Sequence, residues 1–109
     1  MTTITFRMEK DRIVGFDSHG HSGYAEAGAD IVCAAITSAI RLLECTINDV
    51  LGLAASVKIS EKDAKLSFRL PGGLAATAES ACQAYLTGLM VYFSELHGEY
   101  PENIEVLED

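Results

Sequence analysis

Cys33 and His21 are the residues of this 109-residue chain whose types suit covalent chemistry. A cysteine attacks as its thiolate, and a nucleophile of this kind needs a base, most often an imidazole. His21 stands 12 residues before Cys33, on a segment that runs straight into the cysteine's own helix. Such a segment can fold back over the helix's first turn, so sequence distance does not keep the two apart.

The elements around the pair bear on that chemistry. Asp30 is a good N-cap, because its carboxylate can accept bonds from amides one turn on. Cys33 then becomes the third helical residue, where backbone amides lack an intrahelical acceptor and the helix dipole favours negative charge. The same amides could bind an oxyanion as a carbonyl is attacked. Thr37 lies four residues further along the same helix face. Its hydroxyl either supports the thiolate or substrate, or bonds back to the Cys33 carbonyl, and the back-bond is the expectation.

Local physics leaves other readings open. A cysteine in an apolar helix is ordinarily core, and Cys45 and Cys82 are expected to be core. His97, near a helix C-terminus, is expected to have a structural role with the dipole. His19 and His21 form an H-x-H pair that, with Cys33, could hold zinc. No C-x-x-C or H-E-x-x-H accompanies the pair, so no metal and no cofactor are expected.

The positioning elements follow from periodicity. Residues 2–8 alternate, with Ile4, Phe6 and Met8 on one face, and 12–18 complete a hairpin turned at Glu9-Lys10-Asp11. Residues 19–29 contain Gly20, Gly23 and Gly28 and read as a long mobile loop able to close over a bound peptide. A helix is predicted over 30–51, its apolar stripe including Ile31/Val32, Ala35/Ile36, Ile40, Leu42/Leu43 and Ile47, with Gly52 as the stop. A second hairpin uses Val57 and Ile59, a turn at Glu61-Lys62-Asp63, then Leu66, Phe68 and Leu70. A second helix is predicted over 75–97, ended by Gly98 and Pro101, before a short strand from Ile104 to Leu107. The order is ββαββαβ, an α+β fold with a mainly antiparallel sheet and two packed helices, in one domain over 1–109.

Within this frame the segment GHSGYAEAGADIVCAA, Gly20 to Ala35, resembles the signature of the ribosomal-processing cysteine proteases, the Prp family. The matching residues are Gly20-His21, the glycine-containing loop with Gly28, and Asp30-Ile31-Val32-Cys33-Ala34. The Tyr100-Pro101…Ile104 segment agrees more loosely. The resemblance implies a cysteine endopeptidase with His21 as base and Cys33 as nucleophile. It also implies Gly20, Asp30 and Thr37 as supporting positions, Thr37 standing where many relatives have serine. The role of Asp30 is N-cap, orienter of His21, or both. The implied reaction removes an N-terminal extension from ribosomal large-subunit protein twenty-seven, and the implied assembly is a homodimer. A non-catalytic ribosome-assembly or protein-binding module of the same fold is the alternative.

Composition narrows the partners. The formal net charge is −8, from 16 acidic against 8 basic residues. Such a surface repels phosphates, so direct nucleic-acid binding is not expected, whereas a basic protein partner is compatible. Three cysteines do not make a disulfide framework. No run of 18 apolar residues and no signal-like start is seen, so neither membrane association nor secretion is expected, and the expected compartment is the cytoplasm.

Overall fold

Alternation along the first strand decides which way the sheet faces. In β1 (Thr2–Glu9), Thr2, Ile4 and Phe6 are buried while Thr3, Thr5 and Arg7 point to the other face. A two-residue turn, with Lys10 at φ 58°, leads into β2 (Arg12–His19). The computed structural model describes residues 1–26 and 30–109. Helix α1 (Ile31–Glu44) follows and runs into a π-helical segment, Cys45–Val50. β3 (Ser56–Ser60) and β4 (Lys65–Arg69) form the second hairpin, and α2 (Ala76–Glu99) leads to β5 (Ile104–Glu108). The order ββαββαβ is the α+β arrangement expected from the sequence.

The five strands lie in the order β3-β4-β2-β1-β5. All neighbours are antiparallel except β1 and β5, which are parallel. The register sets Phe6 opposite Phe16 and Phe16 opposite Phe68. Their rings form a row across three strands, with Phe16 stacked on Phe68 at 5.2 Å and tilted against Phe6 at 5.7 Å. All three are fully buried, and each such side chain contributes roughly 1.5–3 kcal/mol.

Both helices bury one stripe against this row. In the first it is Val32, Ile36, Ile40, Leu43 and Ile47; in the second, Cys82, Leu86, Leu89, Phe93 and Leu96. By length and hydropathy alone Ile31–Val50 would suffice to cross a membrane, but this stripe belongs to the core shared with the sheet. Gln83 ties α2 to β2 as a strand neighbour would. Its Oε1 accepts the Ile13 N–H at 2.7 Å and its Nε2 donates to the Ile13 carbonyl at 2.8 Å. Asn48 bonds both the N–H and the carbonyl of Ala55, closing the chain between the π-helical segment and β3.

Three expectations are corrected. Cys45 is exposed, not core: it lies two residues from both Leu43 and Ile47, on the opposite side of the helix from the buried stripe. Leu42 is 70 % exposed because it lies on the flank of the helix, facing the open groove beside α2 rather than the sheet. The second helix continues through Gly98 to Glu99 and stops at Tyr100, because the residue before Pro101 is sterically driven out of the helical region. The expectation of a mobile segment over 19–29, and Gly28 with it, falls partly on residues 27–29, outside the described residues.

Candidate active site

The site forms where β2 hands the chain to α1. Strand β2 ends at His19, an exposed residue paired with Thr3 and Lys65 across the sheet. Gly20 then turns the chain at φ 91°, a conformation that costs other residues energy. A Cβ there would stand 2.6 Å from the Met1 carbonyl oxygen. The turn is held by the Gly20 N–H bonding to the Ala64 carbonyl at 2.9 Å and by Thr2 Oγ1 donating to the Gly20 carbonyl at 3.2 Å. His21 follows directly, with an exposed side chain.

Cys33 comes from the first turn of α1. Asp30 is the N-cap, in extended conformation, and its Oδ1 accepts the Cys33 N–H at 2.9 Å. The Asp30 carbonyl accepts the Ala34 N–H at 3.1 Å. The Cys33 amide is therefore capped rather than open to an oxyanion, as the sequence had suggested. By helix geometry the amides left without intrahelical acceptors are those of Ile31 and Val32.

Gly20, His21, Cys33 and Thr37 line one groove of about 540 Å³, closed on its far side by the β3–β4 hairpin at Ile59, Ser60 and Leu66. The predicted residues thus come together, with Asp30 behind Cys33. One detail differs from expectation. Thr37 is exposed, and among the described residues its hydroxyl makes no back-bond to Cys33. Among the described residues Asp30 makes no hydrogen bond to His21, and none joins His21 to Cys33.

Ser22 is the residue that sequence reasoning missed. It is 1 % exposed and bonds with every polar atom it has. Its N–H donates to Cys33 Sγ at 3.4 Å, and the Cys33 thiol donates to Ser22 Oγ at 3.4 Å. Ser22 Oγ also bonds Asp30 Oδ2 and accepts the Tyr24 N–H at 3.4 Å. Its carbonyl accepts from Asn103 Nδ2 at 3.0 Å, which ties the loop to the turn before β5. Tyr24 and Tyr100 meet edge-to-face beside this link, with ring centres 5.4 Å apart. A signal was present in Ser22-Gly23-Tyr24, since serine before glycine favours a turn in which the hydroxyl accepts the N–H two residues on.

Electrostatics settle the state of Asp30. Burial works against its ionised form but is outweighed by hydrogen bonds from Ser22, Cys33 and the Ala25 amide, which lower its pKa to about 2. It is a carboxylate across the neutral range. Among the described residues no group of three His, Cys, Asp or Glu side chains is placed to hold a metal ion, and His19 and His21 gather no third ligand.

This arrangement can present a thiol and an imidazole to an extended peptide in one groove, which is the equipment of acyl transfer. Comparison with known proteins bears on the same chemistry. A ribosomal processing cysteine protease Prp of Bacillus subtilis is 27 % identical over 107 residues, covering 97 % of this chain and 96 % of that protein. The fold is that of an S. aureus ribosomal processing protease Prp solved with a covalently linked product peptide, with a TM-score of 0.82, 21 % identity and full coverage of both chains. It is also that of SMU.848 from Streptococcus mutans, with a TM-score of 0.82, 21 % identity, and coverage of 99 % of this chain and 93 % of the other. Residues 1–105 match the cysteine protease Prp family, and the chain belongs to it.

Proposed function

We propose that this protein is a cysteine endopeptidase that removes the N-terminal extension of ribosomal large-subunit protein twenty-seven during ribosome maturation. The observation that carries the reading is the meeting of His21 and Cys33 in one groove at the start of α1. Cys33 is the nucleophile and His21 the base. The Cys33 proton passes to His21 as sulfur bonds to the scissile carbonyl carbon. His21 then gives that proton to the leaving amine as the C–N bond breaks, and water hydrolyses the thioester. Gly20 and Asp30 support the pair, the first by fixing the turn into His21 and the second by capping the helix at Cys33. Thr37 lies on the groove wall, where its hydroxyl is available to substrate.

A basic ribosomal substrate suits the chain's net charge of −8. The action is placed in the cytoplasm, where such a substrate is made. The protein is a homodimer in this reading, and the apolar groove between α1 and α2 offers it a surface. That groove is about 670 Å³ and includes Leu42, Tyr85 and Tyr92, all exposed.

Incubating the protein with the extended precursor and with its mature form tests the substrate. One cut, located by mass spectrometry at the extension boundary of the precursor only, is the expected result. Tight binding of the precursor without any cut would instead support a non-catalytic assembly module.

A further inference from the structure

We propose that Ser22 is a positioning residue for Cys33: its hydroxyl, held by Asp30, keeps the thiol protonated and turned toward Ser22 in the resting protein. The inference rests on Cys33 being the nucleophile and names what governs its ionisation.

The hydrogen-bond directions follow from a count of protons. Asp30 is ionised in the neutral range and can only accept. The bond between Ser22 Oγ and Asp30 Oδ2 must then use the single hydroxyl hydrogen of Ser22. The remaining capacity of Ser22 Oγ is to accept, and it faces the Tyr24 N–H and Cys33 Sγ, each at 3.4 Å. Only a protonated thiol can be the donor in the latter contact. On ionisation, the sulfur would carry negative charge against an oxygen lone pair, with no hydrogen between them. The hydroxyl can turn to the sulfur only by leaving Asp30, which ends a charge-assisted bond.

The two halves of Ser22 therefore oppose each other. Its backbone N–H, 3.4 Å from Sγ, favours the thiolate; its hydroxyl favours the thiol. Because Ser22 is 1 % exposed, no water replaces either contact cheaply. Transfer of the proton to His21 requires Sγ to leave Ser22 Oγ, so the hydroxyl holds the nucleophile back until substrate displaces it. Other charges also face this groove: His21 from the loop, Arg41 and Glu44 from α1, and Glu61 and Lys65 from the β3–β4 hairpin. The Met1 amino group stands against Gly23. None of these is altered by removing one hydroxyl; only Asp30, whose carboxylate also faces the Cys33 thiol, loses a partner, so a difference between parent and variant reports on the Ser22–Asp30 pair.

The test is the pH dependence of iodoacetamide alkylation at Cys33, read by peptide mass mapping in a Cys45→Ser background. Ser22→Ala removes the hydroxyl and leaves the N–H in place. Its alkylation midpoint is expected to move down by about half a pH unit or more, giving about threefold faster alkylation below both midpoints. Ser22→Gly removes the same hydroxyl and decides the matter if the alanine variant does not fold; Ser22→Thr should keep the parent midpoint. An unchanged midpoint in Ser22→Ala would reduce Ser22 to a structural tie, and an upward move would mean that its hydroxyl, directly or by holding the Asp30 carboxylate, serves the thiolate. Either overturns the proposal. Alkylation needs no peptide, so failure of the protease reading would leave this measurement standing, and failure here would leave peptide cleavage untouched.

Discussion

Asp30 Oδ1 accepts the backbone N–H of Cys33 at 2.9 Å, so one carboxylate both starts the helix and fixes the residue that carries the thiol. Replacing it separates the two effects. Asp30→Ala should cost roughly 1 kcal/mol of stability, while Asp30→Asn, which keeps a capping oxygen but not the charge, should cost less. The folded-state pKa lies below the ordinary carboxylate value, so this stability is present above about pH 4 and is lost as pH falls toward 2. Urea unfolding of the three proteins at pH 7 and pH 3 checks both statements. Equal stability of the alanine and parent proteins at pH 7 would contradict the cap.

Asp17 makes a second acid-sensitive point, on the sheet face away from the helices. Arg7 donates to its Oδ2 at 2.7 and 2.9 Å, Arg69 donates to the same oxygen at 3.1 Å, and Oδ1 lies 3.0 Å from Arg69 Nη1. Burial tends to raise its pKa, but hydrogen bonds from Arg69, Ser67 and Arg7 outweigh that and hold it well below the carboxylate range. Its contribution is therefore full above about pH 4 and fades only as pH falls below that value. Asp17→Asn should destabilise by roughly 1–2 kcal/mol at pH 7, the smaller end of the range because both arginines are more than a third exposed and screened. Denaturant midpoints of the two proteins should converge in acid.

Gly20→Ala tests the turn that delivers His21. The new Cβ would have to move the Met1 carbonyl and adopt a left-handed backbone. A stability loss of roughly 1–3 kcal/mol is expected, with a fall in peptide cleavage as His21 is displaced. Calorimetry together with a peptide assay measures both. Parent-like values in each would show that the turn tolerates a side chain.

The proposed dimer is checked at Leu42, which is 70 % exposed on the groove between the helices. Leu42→Glu places a charge there without disturbing the core. Sedimentation equilibrium should show a dimer for the parent and a monomer for the variant, with monomer unfolding unchanged. A parent protein that is monomeric at tens of micromolar would contradict the assembly.

Much of the fold was legible because its periods are clean. Ile4 and Phe6 alternate, the stripe from Val32 to Ile47 repeats every three to four residues, and Asp30 sits where a cap belongs. What was not legible depends on which side of a helix meets the sheet. Cys45 and Leu42 are apolar residues near a buried stripe, and one-dimensional periodicity blurs which of two adjacent apolar positions turns outward. The site was half legible. The types and spacing of His21, Asp30 and Cys33 marked the place, but Ser22 is a small residue whose importance comes from contacts with Cys33, Asp30 and Asn103, 8 to 81 residues away. Only the folded chain brings those partners to it.

The most direct test of the central claim is the cleavage rate of an extension-bearing precursor peptide by the parent, Cys33→Ala and His21→Ala proteins, each shown to be folded by circular dichroism. The account predicts cleavage by the parent, none above background for Cys33→Ala, and a loss of at least about 100-fold for His21→Ala. Cleavage by Cys33→Ala at the parent rate would contradict it.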